Sequence, residues 1–257
     1  MNQQLANAQA DLLARRPKQN GRLPAPIAAI LNQAASPATP PDIAPVAADA
    51  APARLADLDP DWHPLVEVAV QAARAWQNRR RAQIAAGRKP NASLVLLSTA
   101  VPGDITRTGY GCGKTHIARA CLWSVAYVMD GQPIAPAGKF FVAGDIINRL
   151  DGETHASNEV ADASIVVVDD VGAEGFIPFV SQDEYKQALE RHARYFKLVD
   201  YCYSSGVSLI FTGNLSLDAL AAHVGGRTWS RLLQMAPAGF MVNLSGVPDY
   251  RRKAGGR

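Results

Sequence analysis

The chain has 257 residues, of which 48% are hydrophobic, enough to build one or two packed domains. No apolar run is long enough to span a membrane, and the N-terminus lacks the basic start and apolar centre of a signal peptide, so we expect a cytoplasmic protein without membrane contact. The net charge of +3 permits contact with nucleic acid without requiring it.

The first 60 residues are predicted to form a tail rather than a folded domain. Apolar spacing at 3–16 favours a short helix, whereas residues 17–60 are rich in alanine and proline. Prolines interrupt any long helix, and alanine buries little area. We therefore expect a largely disordered linker, followed by a single folded domain over residues 61–257.

Within residues 61–257 the chain alternates between apolar strands and helical segments. Strands are predicted at 93–98, 138–144, 163–170 and 207–214. Helices are predicted at 61–88, 114–130, 145–152, 182–206 and 217–224. This alternation predicts parallel βαβ units and an α/β fold, with helices on both faces of a mostly parallel sheet.

Residues 108–120, TGYGCGKTHIARA, contain a candidate phosphate-binding loop. Glycines such as Gly111 and Gly113 let a backbone wrap around phosphates at a helix N-terminus. Lys114 would then reach the terminal phosphates, and Thr115 would offer its hydroxyl to Mg²⁺. The sequence therefore predicts a site for a nucleoside triphosphate.

The loop departs from the usual G-x-x-x-x-G-K-[ST] pattern at its start. Thr108 stands where the pattern has a glycine, and we expect Gly109 to take over that turn. Residues 99–108 form an insertion between the preceding strand and the loop. We interpret Cys112 as a small side chain that fills a position in the loop. This interpretation is simpler than that of a reactive thiol with a lowered pKa. Three cysteines without a CxxC pair also argue against a zinc site.

Two further polar groups follow buried strands. Asp169 and Asp170 end the strand at 163–170, where one acid of a P-loop ATPase associates with Mg²⁺ and a second orients or deprotonates the attacking water. Asn214 ends the strand at 207–214, where an amide could hold the γ-phosphate or that water. Taken singly, these residues could be a polar strand end and a turn. Because they occur together with the glycine loop, we predict one ATP site at the carboxyl edge of the sheet.

Five stretches, taken in order, resemble the DnaC/IstB group of AAA+ ATPases, which contains replicative helicase loaders and the ATPase helpers of transposases. These stretches are GCGKTHIARA, ASIVVVDDVG, SLIFTGNLSLDAL, WSRLLQM and PDYRRK. The resemblance covers residues 62–252. It implies the P-loop NTPase fold of the AAA+ type, a three-layer α/β/α arrangement, with ATP and Mg²⁺ as cofactors.

The resemblance also implies roles for matching positions. The nucleotide-binding positions are Gly109, Gly111, Cys112, Gly113, Lys114, Thr115, His116 and Arg251. The Mg²⁺-associated positions are Thr115 and Asp169, and the catalytic ones are Lys114, Asp170, Asn214 and Arg231. Arg231 matches an arginine finger that reaches a neighbouring subunit's ATP, with Arg227 as a second candidate. Self-association is therefore implied, with a replicative helicase, a transposase or single-stranded DNA as further partners.

Three functions stay open at this point. The first is an ATP-hydrolysing protein that assists helicase loading or transposition. The second is an ATP-dependent adaptor with little hydrolysis, favoured by the altered loop and the proline-rich tail. The third is a small-molecule kinase, which is disfavoured because residues 225–240 contain too few arginines for the lid of such an enzyme.

Overall fold

The computed structural model describes residues 53–101, 103–104, 109–125, 127–129, 132–135, 138–150, 159–173 and 182–251. The predicted helix at 3–16, most of the predicted tail, and Thr108 lie outside the described residues. The described chain begins with two short 3-10 turns, Leu55–Asp57 and Pro60–Trp62. Leu55 and Leu58 already pack against the core, so residues before Asp61 contribute to the folded unit.

The helices are α1 Pro64–Ala85, α2 Lys114–Trp123, α3 Ala143–Arg149, α4 Gln182–Ser205, α5 Leu217–Val224 and α6 Gly226–Met235. The strands are β1 Ser93–Leu97, β2 Tyr127–Met129, β3 Gln132–Ala135, β4 Lys139–Val142, β5 Ile165–Val171, β6 Ser208–Gly213 and β7 Met241–Asn243. In the described part of the chain, no helix is both long and apolar enough to traverse a lipid bilayer.

Five strands form one sheet in the order β4-β5-β6-β1-β7, and all of its pairings are parallel. Every residue of β1 and β6 is buried, as expected for a parallel sheet covered on both faces. Tyr195 of α4 belongs to the apolar cluster on one face, and Trp76 of α1 to the cluster on the other. The predicted three-layer α/β/α fold is therefore confirmed.

One predicted helix is wrong in its second half. The helix predicted at 114–130 ends at Trp123, and Tyr127–Met129 pairs instead with Gln132–Ala135 in an antiparallel hairpin. Valine and tyrosine favour strands over helices, and they dominate the sequence SVAYVM that follows Trp123. The sequence Asp130-Gly131 between the two strands is typical of a two-residue hairpin connection. Other predicted boundaries differ by at most three residues.

Parallel pairing brings the carboxyl ends of β1, β5 and β6 to one edge of the sheet. Leu97 at the end of β1 lies opposite Gly213 of β6, and Val171 of β5 also pairs with Gly213. The glycine loop and Asn214 follow β1 and β6, and the acid pair lies near the carboxyl end of β5. They therefore meet at this edge, with β6 lying between the other two strands.

Candidate nucleotide-binding site

The glycine-rich segment at 109–113 forms a tight turn into the N-terminus of α2. Gly109, Gly111 and Gly113 have φ values of 79°, 69° and 94°, a conformation that glycine adopts without steric cost. Gly113 is the N-cap of α2, and no side chain caps the helix there. The first N–H groups of the helix are thus arranged as in sites that bind phosphate.

The loop begins where β1 ends, although residues 100–108 separate them in sequence. A Cβ atom on Gly109 would lie only 2.9 Å from the carbonyl carbon of Thr99, and Ser98 Oγ donates to Gly109 O. The N–H of Thr99 in turn donates to Ser245 Oγ at 2.8 Å. Thr99 and Gly109 are therefore in contact, although the insertion separates them in sequence. The insertion does not move the glycine loop away from the end of β1.

Lys114 is buried, with 7% of its surface exposed, and its ammonium group lies within the loop. Nζ donates to Gly109 O at 2.7 Å, to Asn214 Oδ1 at 2.9 Å and to Ser98 Oγ. It also lies 3.4 Å from Cys112 Sγ. A buried cation needs such partners because it has lost its water. They hold a positive charge at the centre of the loop, where the terminal phosphates of a nucleotide would bind.

Thr115 and Asp169 form a hydroxyl–carboxylate pair beside the loop. Thr115 Oγ1 donates to the two carboxylate oxygens of Asp169 at 3.0 and 3.1 Å, and Asp169 also accepts from Thr212 Oγ1. Mg²⁺ prefers oxygen ligands and is usually bound through one or two carboxylates together with substrate phosphates. This donor set therefore fits Mg²⁺ when it accompanies a nucleotide.

Asp170 has an unusual backbone conformation next to this pair. Its φ is 60°, and among the described residues other than glycine no other φ is positive. At this point the regular pairing of β5 with β6 is interrupted. Its N–H donates to Thr212 Oγ1 at 3.0 Å, and its Oδ1 accepts from Asn214 Nδ2 at 2.8 Å. A left-handed conformation costs an L-residue about 1–2 kcal/mol. Such conformations and bulges are concentrated at functional sites.

The three predicted elements are joined in one hydrogen-bonded network. One branch runs from Lys114 through Asn214 to Asp170, and the other runs from Thr115 through Asp169 to Thr212. The Thr212 hydroxyl closes the network because it donates to one aspartate and accepts from the N–H of the next. No role was predicted from the sequence for Ser98 or Thr212. The only sequence feature that could have indicated one is a hydroxyl side chain near the end of an apolar strand.

Both ends of the described chain border the loop. His116 Nε2 lies 2.9 Å from Arg54 O, and Leu58 would contact a Cβ atom on Gly113 at 3.4 Å. The N–H of Tyr250 donates to Gly111 O at 3.1 Å. The rings of Trp62 and Tyr250 meet edge to face with centroids 5.5 Å apart. The polar loop is thus flanked by an apolar and aromatic border, and His116 contacts that border.

Arg251 is separated from the loop by a carboxylate. Its Nε and NH2 atoms lie 3.1 and 3.2 Å from the two Asp249 carboxylate oxygens, and 65% of its side chain is exposed. A Cβ atom on Gly111 would lie 1.7 Å from Asp249 Oδ1, so the carboxylate rests directly on the loop. The predicted closing arginine therefore reaches the loop only through Asp249, which the sequence did not single out.

The arginine-finger candidates of α6 lie against α4. Arg231 pairs with Asp200 at 2.6 Å, and its guanidinium lies over the rings of Phe196 and Tyr203, 5.3 and 5.1 Å from their centroids. Arg227 lies 5.7 Å from the Phe196 centroid. These contacts are with α4 of the same chain and not with the glycine loop, so the role of Arg231 towards a neighbouring subunit stays a prediction.

The cysteines differ in their environments. Burial raises the pKa of Cys121 and of Cys202 to about 12, which keeps both thiols protonated at neutral pH. Cys112 Sγ is buried in the loop, 3.6 Å from Gly109 O. Its observed contacts are those of a small side chain that fills the loop.

The parallel sheet, the helices on its two faces and the glycine loop after β1 together form a three-layer α/β/α fold with a P-loop. Neither a protein-family model nor a curated protein matches the chain. A solved structure of the DnaC helicase loader is similar to it, with 20% identity over 74% of this chain and 96% of that one, at a TM-score of 0.49. A structure of DnaI has 15% identity over 77% and 90%, at a TM-score of 0.48.

A third similar structure is the replication initiator DnaA bound to AMPPCP and single-stranded DNA. It has 13% identity over 74% of this chain and 49% of that one, at a TM-score of 0.42. The resemblance to the helicase-loader group, predicted from the sequence motifs, is found again in the solved structures as a likeness of fold.

Proposed function

We propose that this protein binds ATP with Mg²⁺ at the carboxyl edge of the sheet and hydrolyses it, as a DnaC/IstB-type ATPase that assists helicase loading in DNA replication or, alternatively, transposition. The observation that carries the proposal is the network that joins Lys114 and Thr115 to Asp169, Asp170 and Asn214. These side chains come from three separate parts of the chain, and together they supply the charges that phosphoryl transfer requires.

Each side chain has a role that follows from its contacts. ATP supplies the phosphoanhydride bond, and Mg²⁺ neutralises part of its charge. Lys114 holds its ammonium at the centre of the loop and provides a fixed positive charge for the terminal phosphates. Thr115 and Asp169 provide the oxygens that Mg²⁺ prefers. Asp170 and Asn214, 2.8 Å apart, place a proton acceptor beside an amide, which suits the positioning of an attacking water.

The two arginines outside this network, Arg231 and Arg251, would act on nucleotides bound by two different subunits. Arg231 would stabilise charge on the nucleotide of a neighbouring copy, which makes turnover depend on assembly. To do so it has to leave Asp200, its partner within the chain. Arg251 would act on its own subunit's nucleotide after separating from Asp249. A helicase or a transposase would then sense the nucleotide state through the assembled form.

A second candidate function is an ATP-dependent adaptor with little hydrolysis. It is favoured by the Asp249 carboxylate on Gly111, because a triphosphate would first have to separate this carboxylate from the loop and from Arg251. In this alternative, nucleotide would displace Asp249 and change the surface offered to a partner without efficient turnover.

ATP binding and hydrolysis, measured with and without single-stranded DNA, test the proposal. The natural protein is expected to bind ATP and to release phosphate faster with DNA. Lys114→Ala is expected to lose about 100-fold in ATP affinity, because a charge-assisted contact with the terminal phosphates, worth about 1.5–3 kcal/mol, disappears. Lys186→Ala is a matched control, since Lys186 is exposed on α4.

The outcomes separate the two candidates. ATP binding without phosphate release above the Lys114→Ala level would favour the adaptor. An unchanged ATP affinity in Lys114→Ala, or no ATP binding by the natural protein, would contradict both.

A further inference from the structure

The basic residues of the chain are distributed unevenly. Residues 68–103 contain no acidic side chain, and their six basic ones are Arg74, Arg79, Arg80, Arg81, Arg88 and Lys89. The whole chain has 26 basic and 23 acidic residues, so removing these six leaves 20 basic residues against 23 acidic ones. The net positive charge of the protein therefore comes entirely from this segment.

Four of these residues form an exposed group that we call the basic end of α1: Arg79, Arg81, Arg88 and Lys89. The other end of α1 begins beside Trp62, whose ring meets Tyr250 next to the glycine loop. With 22 residues, α1 is about 33 Å long. The basic end thus lies near the opposite edge of the sheet, where Ser208 at the start of β6 donates to Pro90 O.

The exposed arginines of the basic end have no acidic partner among the described residues. Arg79 lies over the Phe240 ring, 5.7 Å from its centroid, and Lys89 Nζ donates to Ser204 O at 3.0 Å. Cations often stabilise a helix C-terminus through its dipole. Here the backbone already closes the helix, because the N–H groups of Gly87 and Arg88 donate to carbonyls of the last turn at 2.9 and 2.8 Å. Capping therefore does not account for so many arginines.

Arg80 lies between Arg79 and Arg81 in the sequence, but its side chain is buried and does not line the exposed surface. It is 6% exposed, and its Nε has no hydrogen-bond partner. Burial lowers the pKa of its guanidinium, so an anion close to it would favour the charged form. On the same part of α1 is a shallow cavity of about 270 Å³, lined by Arg79, Gln83 and Arg88 with two alanines. This cavity is small for an organic ligand, and two of its five lining residues are arginines.

We propose that the basic end of α1 binds the phosphodiester backbone of a nucleic acid without reading its base sequence. A guanidinium group presents paired donors that match phosphate oxygens, and such contacts position a protein on nucleic acid without specifying a sequence. An acidic protein surface would meet the same charge, but a small cavity lined by two arginines suits a phosphate group better. The inference deepens the proposed function by placing its DNA contact, about one helix length from the ATP site.

Fluorescence anisotropy of the full chain with labelled oligothymidylate, and with a duplex of equal length, tests this surface across a salt series. The variant Arg79→Gln/Arg81→Gln/Arg88→Gln removes three positive charges from the basic end. The control Lys139→Gln/Lys186→Gln/Lys197→Gln removes three exposed charges elsewhere. We expect the first variant to lose at least about tenfold in affinity and to lower the salt slope by about 2, whereas the control keeps both nearly unchanged.

The two nucleic acids show whether single strands or duplexes are the natural source of the phosphates. Equal weakening of both variants would reduce the effect to net charge and overturn the proposal. Competition by polyglutamate as effective as by oligothymidylate would assign the surface to an acidic protein instead. No binding of either nucleic acid by the natural protein would also overturn it.

ATP affinity of the same variants separates this inference from the proposed function. Lost DNA binding with ATP affinity retained supports the surface and shows that the variant is folded. Lack of ATP binding in every protein would defeat the proposed function, while the anisotropy data would still decide the surface.

Discussion

The centre of the candidate site differs from the two candidate arginines outside it, Arg231 and Arg251, which we now call its border. The two regions are held in place in different ways. In the centre, candidate side chains bond to one another, as Lys114 does to Asn214. At the border, Arg231 bonds to Asp200 and Arg251 bonds to Asp249, and neither carboxylate has an assigned role. The centre is therefore assembled within one chain, whereas the border arginines have to exchange a partner before they can act on a nucleotide.

Burial explains why the two regions differ. Lys114 is 7% exposed, and hydrogen bonds in such surroundings are strong and costly to leave unmade. The Arg251 side chain is 65% exposed, and an exposed ion pair contributes only about 0–1 kcal/mol. The border can thus rearrange at little cost, and the centre cannot.

Asp170 allows the largest test of the centre. Asp170→Asn keeps the shape and tolerates the left-handed backbone, but it removes the proton acceptor. We expect ATP binding to stay within a few fold of the natural protein and hydrolysis to fall by about 100-fold or more. Equilibrium binding and single-turnover phosphate release measure the two effects. Hydrolysis that survives in this variant would mean that the centre does not use Asp170 as its base.

Gly111 connects the centre to the border, and its replacement should have an intermediate effect. Gly111→Ala places a Cβ atom 1.7 Å from Asp249 Oδ1 and forces alanine to a φ of 69°. We expect a loss of about 1–2 kcal/mol in unfolding free energy and about tenfold in ATP affinity. Denaturant unfolding and calorimetric titration measure them.

The double variant Gly111→Ala/Asp249→Ala removes the clash and keeps the backbone strain, so it should recover part of the loss. If the double variant recovers neither stability nor ATP affinity, Asp249 moves aside freely and does not constrain the loop.

Asp200 provides the smallest and most specific test of the border. Asp200→Asn weakens the ion pair that holds Arg231. Because such a pair contributes about 1 kcal/mol or less, we expect turnover to rise by at most about fivefold. The rise should be visible at protein concentrations that favour assembly. Adding Arg231→Ala should cancel the rise. Identical turnover of Asp200→Asn and the natural protein at every concentration would show that this ion pair does not restrain Arg231.

Much of the fold and the location of the site follow from the sequence. The strands β1, β5 and β6 are apolar runs that end in polar residues, and parallel pairing necessarily brings those ends together. The β2–β3 hairpin was missed because its strand formers directly continue a helical pattern. The contact between Asp249 and Gly111 depends on tertiary packing of distant segments, and no local pattern encodes it.

The backbone of Asp170 shows a further limit. A positive φ at an aspartate leaves no mark in the pattern IVVVDD, because an aspartate with ordinary strand geometry would give the same sequence. The pattern therefore predicts which acids are present, whereas the bulge determines that Asp170 is the one bonded to Asn214.

The meeting of Thr99 with Gly109 has a consequence for how this protein can change over time. Since the two residues already touch, the chain between them starts and finishes at the same place, and doubling its length would add only about 0.6 kcal/mol of closure entropy. Insertions there would leave the candidate phosphate-binding loop where it is. A lineage could vary this segment freely to acquire new contacts, and an engineer could use it to graft a reporter next to the nucleotide site.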